Sequence, residues 1–180
     1  YPLPHVPNTH PLHLSHDAFL MAKITFYGAV RGVTGSCYLL ETSSGRVLID
    51  CGMFQGEDEK WNRDPFLFNP KEITAVFVTH PHADHTGRLP KLLAEGFSGT
   101  IYMPEACRPL ARIVLEDAAH IMQEEAKRAD EEPLFTDRDV AKTFERVEGV
   151  GYHHAIEPLP GVSAMFHEAG HVLGSAFVSL

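Results

Sequence analysis

The sequence has few cysteines and no long apolar run. Its 180 residues contain three cysteines, Cys37, Cys51 and Cys107. An odd number without paired spacing argues against a disulfide framework or a cysteine metal site, and is typical of reduced thiols in a cytoplasmic protein. No apolar run approaches the roughly 20 residues that a transmembrane helix needs. We therefore expect a cytoplasmic protein that does not enter a membrane.

Positive charge is also scarce. Lysine and arginine number 15 against 24 aspartates and glutamates, which gives a formal net charge of -9. Nucleic-acid-binding proteins usually display a basic surface, so the composition predicts no extended basic groove within these residues. The 44% hydrophobic and 22% charged composition is that of one globular domain.

The first twenty residues differ from the rest. Residues 1–20 contain four prolines and four histidines, with no hydrophobic period and no basic segment that would begin a signal peptide. We expect a disordered leader over residues 1–20, with Met21 as the natural initiator. The globular part is then expected over residues 21–180.

Strands dominate the remaining pattern, with three helical segments between them. The helix at 109–129 is expected to bury the apolar face formed by Leu110, Ile113, Val114, Ala118, Ile121 and Met122. Residues 56–70 are predicted to form a surface loop, whose Trp61, Phe66 and Phe68 either anchor it to the core or line a substrate path. Strands are predicted over 24–29, 36–41, 47–50, 73–78, 100–103, 147–152, 162–167 and 175–180, and helices over 86–95, 109–129 and 136–146.

A dense set of metal-ligand side chains follows the buried strand at 73–78. His80, His82, Asp84 and His85 lie within six positions, and imidazole and carboxylate are ligands that zinc prefers. In an extended segment, His80 and His82 point the same way and can hold one ion. A turn after His82 would direct Asp84 and His85 to a second ion. The alternative is a polar loop whose histidines cap the next helix.

Four stretches together resemble one known family. Residues 80–85 read His-Pro-His-Ala-Asp-His and match the His-x-His-x-Asp-His signature of the metallo-β-lactamase superfamily. Residues 33–41, 48–56 and 169–176 resemble its β-CASP nuclease branch, whose members process RNA or DNA. The resemblance covers residues 23–180.

The resemblance implies a fold and a set of site residues. The fold would be an α/β protein, the αββα metallo-β-lactamase sandwich, incomplete at the C-terminus and without the β-CASP insert. His171 would complete a three-histidine set with His80 and His82, next to the ligands Asp84 and His85. Asp50 would lie beneath the metals and orient the ligand loop, although an aspartate before glycine also suits an ordinary turn. Asp50 and Asp84 are thus the candidate catalytic residues.

The implied function is metal-dependent hydrolysis of RNA. Two zinc ions per complete domain would activate water and stabilise charge at the phosphate. RNA is the expected substrate, with DNA as an alternative, and a homo-oligomer is left open. Because the remaining ligands are not found here, we expect these 180 residues alone to be inactive. Two other functions remain: hydrolysis of a thioester, lactone or other small ester or amide, and a non-catalytic scaffold.

Overall fold

A computed structural model describes residues 22–30 and 32–180 of the chain. The predicted leader over residues 1–20, and Met21 as initiator, lie outside the described residues. The strands are β1 (Lys23–Phe26), β2 (Tyr38–Thr42), β3 (Gly45–Ile49), β4 (Ile73–Phe77), β5 (Thr100–Pro104), β6 (Val147–Val150), β7 (Ala155–Leu159), β8 (Val162–Glu168) and β9 (Ala176–Ser179). The helices are α1 (Ala83–Thr86), α2 (Leu89–Ala94), α3 (Cys107–Ala129) and α4 (Asp137–Phe144), and two 3₁₀ helices span Gly56–Asn62 and Pro70–Glu72.

The first six strands form one sheet in chain order, and the last three form a second sheet. Strands β1, β2 and β3 pair antiparallel, whereas β3 to β6 pair parallel. Parallel neighbours need crossover connections. Helices α1 and α2 connect β4 to β5, and α3 and α4 connect β5 to β6. The ligand segment therefore lies at the carboxyl end of a central parallel strand.

Successive side chains along the strands alternate between two separate hydrophobic clusters. Leu39, Leu48 and Val76 belong to a cluster with the helices, while their neighbours Leu40, Val47, Ala75 and Phe77 belong to a cluster with the second sheet. Successive strand residues point to opposite faces, so each strand supplies both layers. Helices, large sheet and small sheet form three successive layers, and the predicted α/β class is confirmed.

Strand β7 was not predicted. Its sequence, Ala-Ile-Glu-Pro-Leu, contains Glu157 and Pro158, which are residue types depleted in strands. It lies at the edge of the small sheet and pairs only with β8 among the described strands. An edge strand tolerates proline because one side of its backbone needs no partner.

The single helix predicted over residues 86–95 is wrong. The structure has two short helices, α1 and α2, separated at Gly87 and Arg88. The backbone N–H of Arg88 donates to the Cys51 carbonyl at 2.9 Å rather than to the preceding helical turn. Pro90 in the first turn of α2 has no N–H to continue the ladder. These two features end α1 after one turn.

The predicted buried face of the helix at 109–129 is only partly correct, since Ala118 and Met122 pack against the core. In α3 the buried residues are Cys107, Ala111, Leu115, Ala119 and Ala126. Ile113 is 62% exposed and Ile121 is 48% exposed. The buried stripe consists mostly of small side chains, which let the helix approach the sheet closely. The two isoleucines dominate the hydrophobic pattern but lie outside that stripe.

The surface segment at 56–70 contains the 3₁₀ helix Gly56–Asn62 rather than only loop. The side chain of Asn62 holds it by accepting from the Phe54 N–H and donating to the Phe54 carbonyl, both at 2.8 Å. Phe66 and Phe68 pack against the helix-side core, as expected of anchoring residues.

Among the described residues, no helix combines the length and apolar character that a membrane span requires.

Candidate metal centre

The ligand segment leaves β4 and turns immediately into α1. His82 is the N-cap residue of α1, with an extended ψ of 148°, and its carbonyl accepts from the N–H groups of His85 at 2.9 Å and Thr86 at 3.0 Å. The buried Thr86 hydroxyl lies 3.2 Å from the Pro81 carbonyl and 3.0 Å from the His82 carbonyl. The turn therefore has a fixed shape.

Three imidazoles converge beside this turn. Each of the three histidines, His80, His82 and His171, offers one ring nitrogen. These three nitrogen atoms lie within 4.8 Å of one another. The ring centroids are 4.9 Å apart for His80 and His82, 5.0 Å for His80 and His171, and 5.1 Å for His82 and His171. His82 and His171 are exposed, so the cluster is open to solvent on one side. Three imidazoles with an open side fit one divalent ion that keeps a position for water.

His171 reaches the cluster from a loop between β8 and β9. The Ser175 hydroxyl oxygen accepts from the backbone N–H groups of His171 at 3.0 Å and Val172 at 3.1 Å. The N–H of Ala176 donates to the Thr79 carbonyl at 2.8 Å, which joins the start of β9 to the residue before His80. This backbone bond links the two distant parts of the histidine cluster.

Asp50 lies beneath the ligand segment and is 1% exposed. Its Oδ1 accepts from the Thr79 N–H at 2.8 Å, and its Oδ2 accepts from the Thr79 hydroxyl at 2.9 Å, the Ser36 hydroxyl at 3.1 Å and the His85 Nδ1 at 2.7 Å. Its backbone is left-handed, with φ 59°, a conformation that aspartate adopts more readily than most residues. The Asp50 carboxylate thus connects the segment that follows β4 to helix α1.

Asp84 and His85 form a neighbouring pair of ligand types. The Nε2 of His85 lies 3.6 Å from Asp84 Oδ2, and the rings of His80 and His85 are 3.8 Å apart. With Nδ1 donating to Asp50, Nε2 of His85 remains available on the side of Asp84. In the described part of the chain, only His80, His82 and His171 form a set of three ligands. Asp84 and His85 therefore offer a second ion two ligands.

The two central histidines have opposite pKa shifts. Burial, with the charge of His85, lowers the pKa of His80 to about 4. Burial also acts to lower the pKa of His85, but the hydrogen bond and charge of Asp50 outweigh it, and the pKa is raised. His80 is therefore neutral near pH 7, which is the form that binds a metal.

The sequence did not indicate two hydroxyl groups at this site. Thr79 Oγ1 donates to Asp50 and also lies 3.0 Å from His80 Nδ1. Because its one proton goes to Asp50, it can only accept from His80 Nδ1–H, which leaves Nε2 of His80 without a proton. Ser36 donates to the same carboxylate. A hydroxyl residue directly before a ligand motif was the available signal, and it is too common to be specific.

Gly52, in the stretch at residues 48–56, lies where no side chain fits. A Cβ at this position would collide with the backbone carbonyl of Asp84 and the N–H of His85. The N–H of Cys51 donates to the His85 carbonyl at 2.9 Å, and that of Met53 donates to the Ala83 carbonyl at 2.9 Å. The segment after Asp50 therefore lies directly against α1, and only glycine permits that approach.

The comparisons with known proteins agree with this arrangement. Residues 30–168 match the family described as the metallo-beta-lactamase superfamily. The chain belongs to the metallo-β-lactamase superfamily. Membership and the histidine cluster together imply a divalent-metal site.

The relatives confirm the resemblance to the β-CASP branch. The chain is 46% identical over 156 residues to Ribonuclease TTHA0252 of Thermus thermophilus, covering 87% of this chain and 34% of the relative. It is 36% identical over 159 residues to the transcription termination factor FttA of Methanosarcina mazei, covering 86% and 24%. It is 31% identical over 159 residues to the cleavage and polyadenylation specificity factor subunit 3-II of Arabidopsis thaliana, covering 84% and 25%. The chain thus spans about a third or less of these relatives.

Solved structures agree on the fold. The subclass B3 metallo-β-lactamase BJP-1 of Bradyrhizobium japonicum matches with a TM-score of 0.52 and 22% identity, covering 87% of this chain and 53% of that one. A flavo di-iron protein variant from Thermotoga maritima matches with a TM-score of 0.52 and 20% identity, covering 79% and 30%. Identities this low carry the fold and no function.

Proposed function

We propose that this chain carries the metal-binding part of a metal-dependent RNA hydrolase. The observation that carries the proposal is the convergence of His80, His82 and His171 at an open face. Its support is the similarity to a ribonuclease and to a cleavage and polyadenylation factor. The substrate is thus RNA rather than a β-lactam or a small ester.

The donor set fits zinc. His80, His82 and His171 would hold the first ion, and Asp84 and His85 would contribute to the second. Neutral imidazoles at a tetrahedral site with one free position are typical of catalytic zinc. When bound, the metal lowers the pKa of water and stabilises negative charge on the phosphate. Two dications would also supply four positive charges at the site of a chain with net charge -9.

The protein's own groups orient these ligands. Asp50 accepts from His85 Nδ1, and Thr79 accepts from His80 Nδ1, so that each ring presents Nε2 to the metal side. A carboxylate or hydroxyl partner of this kind fixes the ring and makes the free nitrogen more basic. Asp50 is therefore a positioning residue, while Asp84 is a ligand beside the reacting groups.

The second ion is expected to be held weakly by this chain alone. Asp84 and His85 are two ligands, and no third joins them in the described part of the chain. We therefore propose low or absent RNA cleavage by the 180 residues in isolation. The three free and buried cysteines of the described residues support a reducing compartment, which we take to be the cytoplasm.

A chimera tests the proposal directly. This chain replaces the matching 156 residues of Ribonuclease TTHA0252, and labelled RNA is incubated with the product and with zinc. The expected result is RNA cleavage that stops on chelation and on His82→Ala or His171→Ala. Leu173→Ala, at an exposed position in the same loop, serves as the matched control and should leave cleavage unchanged.

Three outcomes contradict the proposal. A folded, metal-loaded chimera that leaves RNA intact would refute it. Hydrolysis of a thioester or lactone in place of RNA would favour the small-substrate alternative. Cleavage that persists in His82→Ala would show that the histidine cluster is not the reaction centre.

A further inference from the structure

An aromatic cavity lies apart from the metal ligands. It has a volume of about 560 Å³ and opens between the end of β1 and the segment at residues 54–68. This volume lies in the range of small-molecule sites, roughly 300 to 1,000 Å³. Six aromatic rings and one guanidinium line it: Phe26, Tyr27, Phe54, Trp61, Phe66, Phe68 and Arg88.

The mouth of the cavity exposes apolar side chains. Trp61 is 43% exposed and Leu67 is 86% exposed. The rings of Trp61 and Phe54 meet at 89°, so they do not stack on each other. Large exposed apolar groups around a cavity are typical of a binding surface. An aromatic ring entering here would find several rings to contact.

Arg88 lies at the base of the cavity, beneath two of its aromatic rings. The residue is 5% exposed, and its guanidinium lies 4.5 Å from the Phe54 ring centroid and 5.3 Å from that of Phe66. Its Nε donates to the Gly52 carbonyl. Its Nη2 is buried and has no acceptor among the described residues. A buried charged donor without a partner costs free energy.

Two carboxylates also line the cavity. Asp58 and Asp64 lie there together with the aromatic rings. Carboxylates repel a phosphate but accept hydrogen bonds from an exocyclic amino group, as they do from cytosine. A planar, uncharged ring with an amino group for a carboxylate matches this set. Nucleobases have that chemistry.

The cavity is close to the metal centre along the backbone. Thr34 and Phe54 line it. Ser36, two residues beyond Thr34, donates its N–H to the Asp84 carbonyl at 2.9 Å, and Met53, next to Phe54, donates to Ala83. Two residues span at most about 7 Å. A base in the cavity and a phosphate at the metal centre can therefore belong to one strand.

We propose that this cavity is a subsite that binds a nucleobase of the substrate RNA by stacking, with preference for a base that carries an amino group. The identity of the substrate rests on the proposed function, but base binding itself requires no metal. The subsite would position the strand through a neutral base.

Trp61 is the single tryptophan of the chain, so its fluorescence reports on the cavity. The purified protein is titrated with adenosine in the presence of a chelator. Saturable quenching is expected. Phe68→Ala and the larger Phe68→Leu should weaken binding about 5- to 150-fold, since a base stack contributes that much on truncation. Phe177→Ala, an exposed aromatic on β9 outside the cavity, should bind as the wild type does.

Further ligands define the chemistry. Inorganic phosphate should cause no quenching, and cytidine should bind more tightly than uridine, which has a carbonyl in place of the amino group. Absence of a saturable response to adenosine, or wild-type affinity in both Phe68 variants, would overturn the subsite. Equal binding of cytidine and uridine would overturn the preference. Adenosine binding in a protein whose chimera leaves RNA intact would refute the proposed function alone, whereas RNA cleavage without adenosine binding would refute this inference alone.

Discussion

At the scale of single residues, the metal centre depends on a few hydrogen bonds around Thr79. Its hydroxyl lies between Asp50 and His80, its N–H donates to Asp50, and its carbonyl accepts from Ala176. The hydroxyl and N–H contacts orient a ligand. The carbonyl contact joins Thr79 to β9, the strand that follows the His171 loop. One residue thus connects all parts of the histidine cluster.

Replacing the Thr79 hydroxyl should weaken metal binding. Thr79→Val keeps the shape but removes the acceptor for His80 Nδ1–H and the donor to Asp50. Loss of such an outer partner typically lowers metal affinity about 10- to 100-fold. Competition with a chromophoric chelator measures the change. Thr79→Ser keeps the hydroxyl and should bind nearly as the wild type does; equal affinity of the Val and Ser variants would contradict the role.

The lowered pKa of His80 predicts a pH dependence of stability in the metal-free protein. The folded state has a pKa of about 4 for this group, against an ordinary value of 6.5. Between these values the unfolded chain binds a proton that the folded chain does not, so stability should fall as pH decreases from 6.5 towards 4. Urea unfolding in a chelator at several pH values measures this. His80→Gln should flatten that part of the profile, and an unchanged profile would refute the assignment.

At the scale of elements, α3 shows how a helix can mislead sequence analysis. Its buried stripe contains Cys107, Ala111 and Ala119, whose hydrophobic signal is weak. Ile113 and Ile121 have a strong signal but are largely exposed. Burial depends on which face approaches the sheet, and small residues allow the closest approach.

Truncations on the two faces of α3 should have very different effects. Leu115 is completely buried, and Leu115→Ala should reduce the free energy of unfolding by about 2–5 kcal/mol. Ile113 is 62% exposed, and Ile113→Ala should change it by about 0.5 kcal/mol or less. Urea denaturation measures both. Equal losses, or a larger loss at Ile113, would contradict the orientation of the helix.

Local patterns in the sequence predicted the elements that depend on contiguous residues. Strand β4 and the ligand segment after it are examples, because a buried β-rich run and a dense motif lie side by side. The separation of α1 from α2 was not predictable, since it depends on the hydrogen bond from Arg88 to Cys51 across the fold. The approach of His171 to His80 and His82 came from family resemblance, because His171 lies 89 positions after His82 in the sequence.

In the whole molecule, the layered fold places the metal centre and the aromatic cavity close together. The parallel strands of the large sheet end at the metal centre, and the segment after Asp50 continues from there to the aromatic cavity. The first would act on a phosphate, and the second on a base. This division suits a chain with a net charge of -9.

The metal content of the purified chain, after removal of residues 1–20 with their four histidines, tests whether the three-histidine site forms. We predict about one tightly bound zinc ion per folded chain, with that ion lost in His82→Ala and in His171→Ala. The variant His153→Ala, at an exposed histidine outside the cluster, should keep it. A cooperatively folded chain that binds no ion, or binds it equally well without His82, would contradict the three-histidine site.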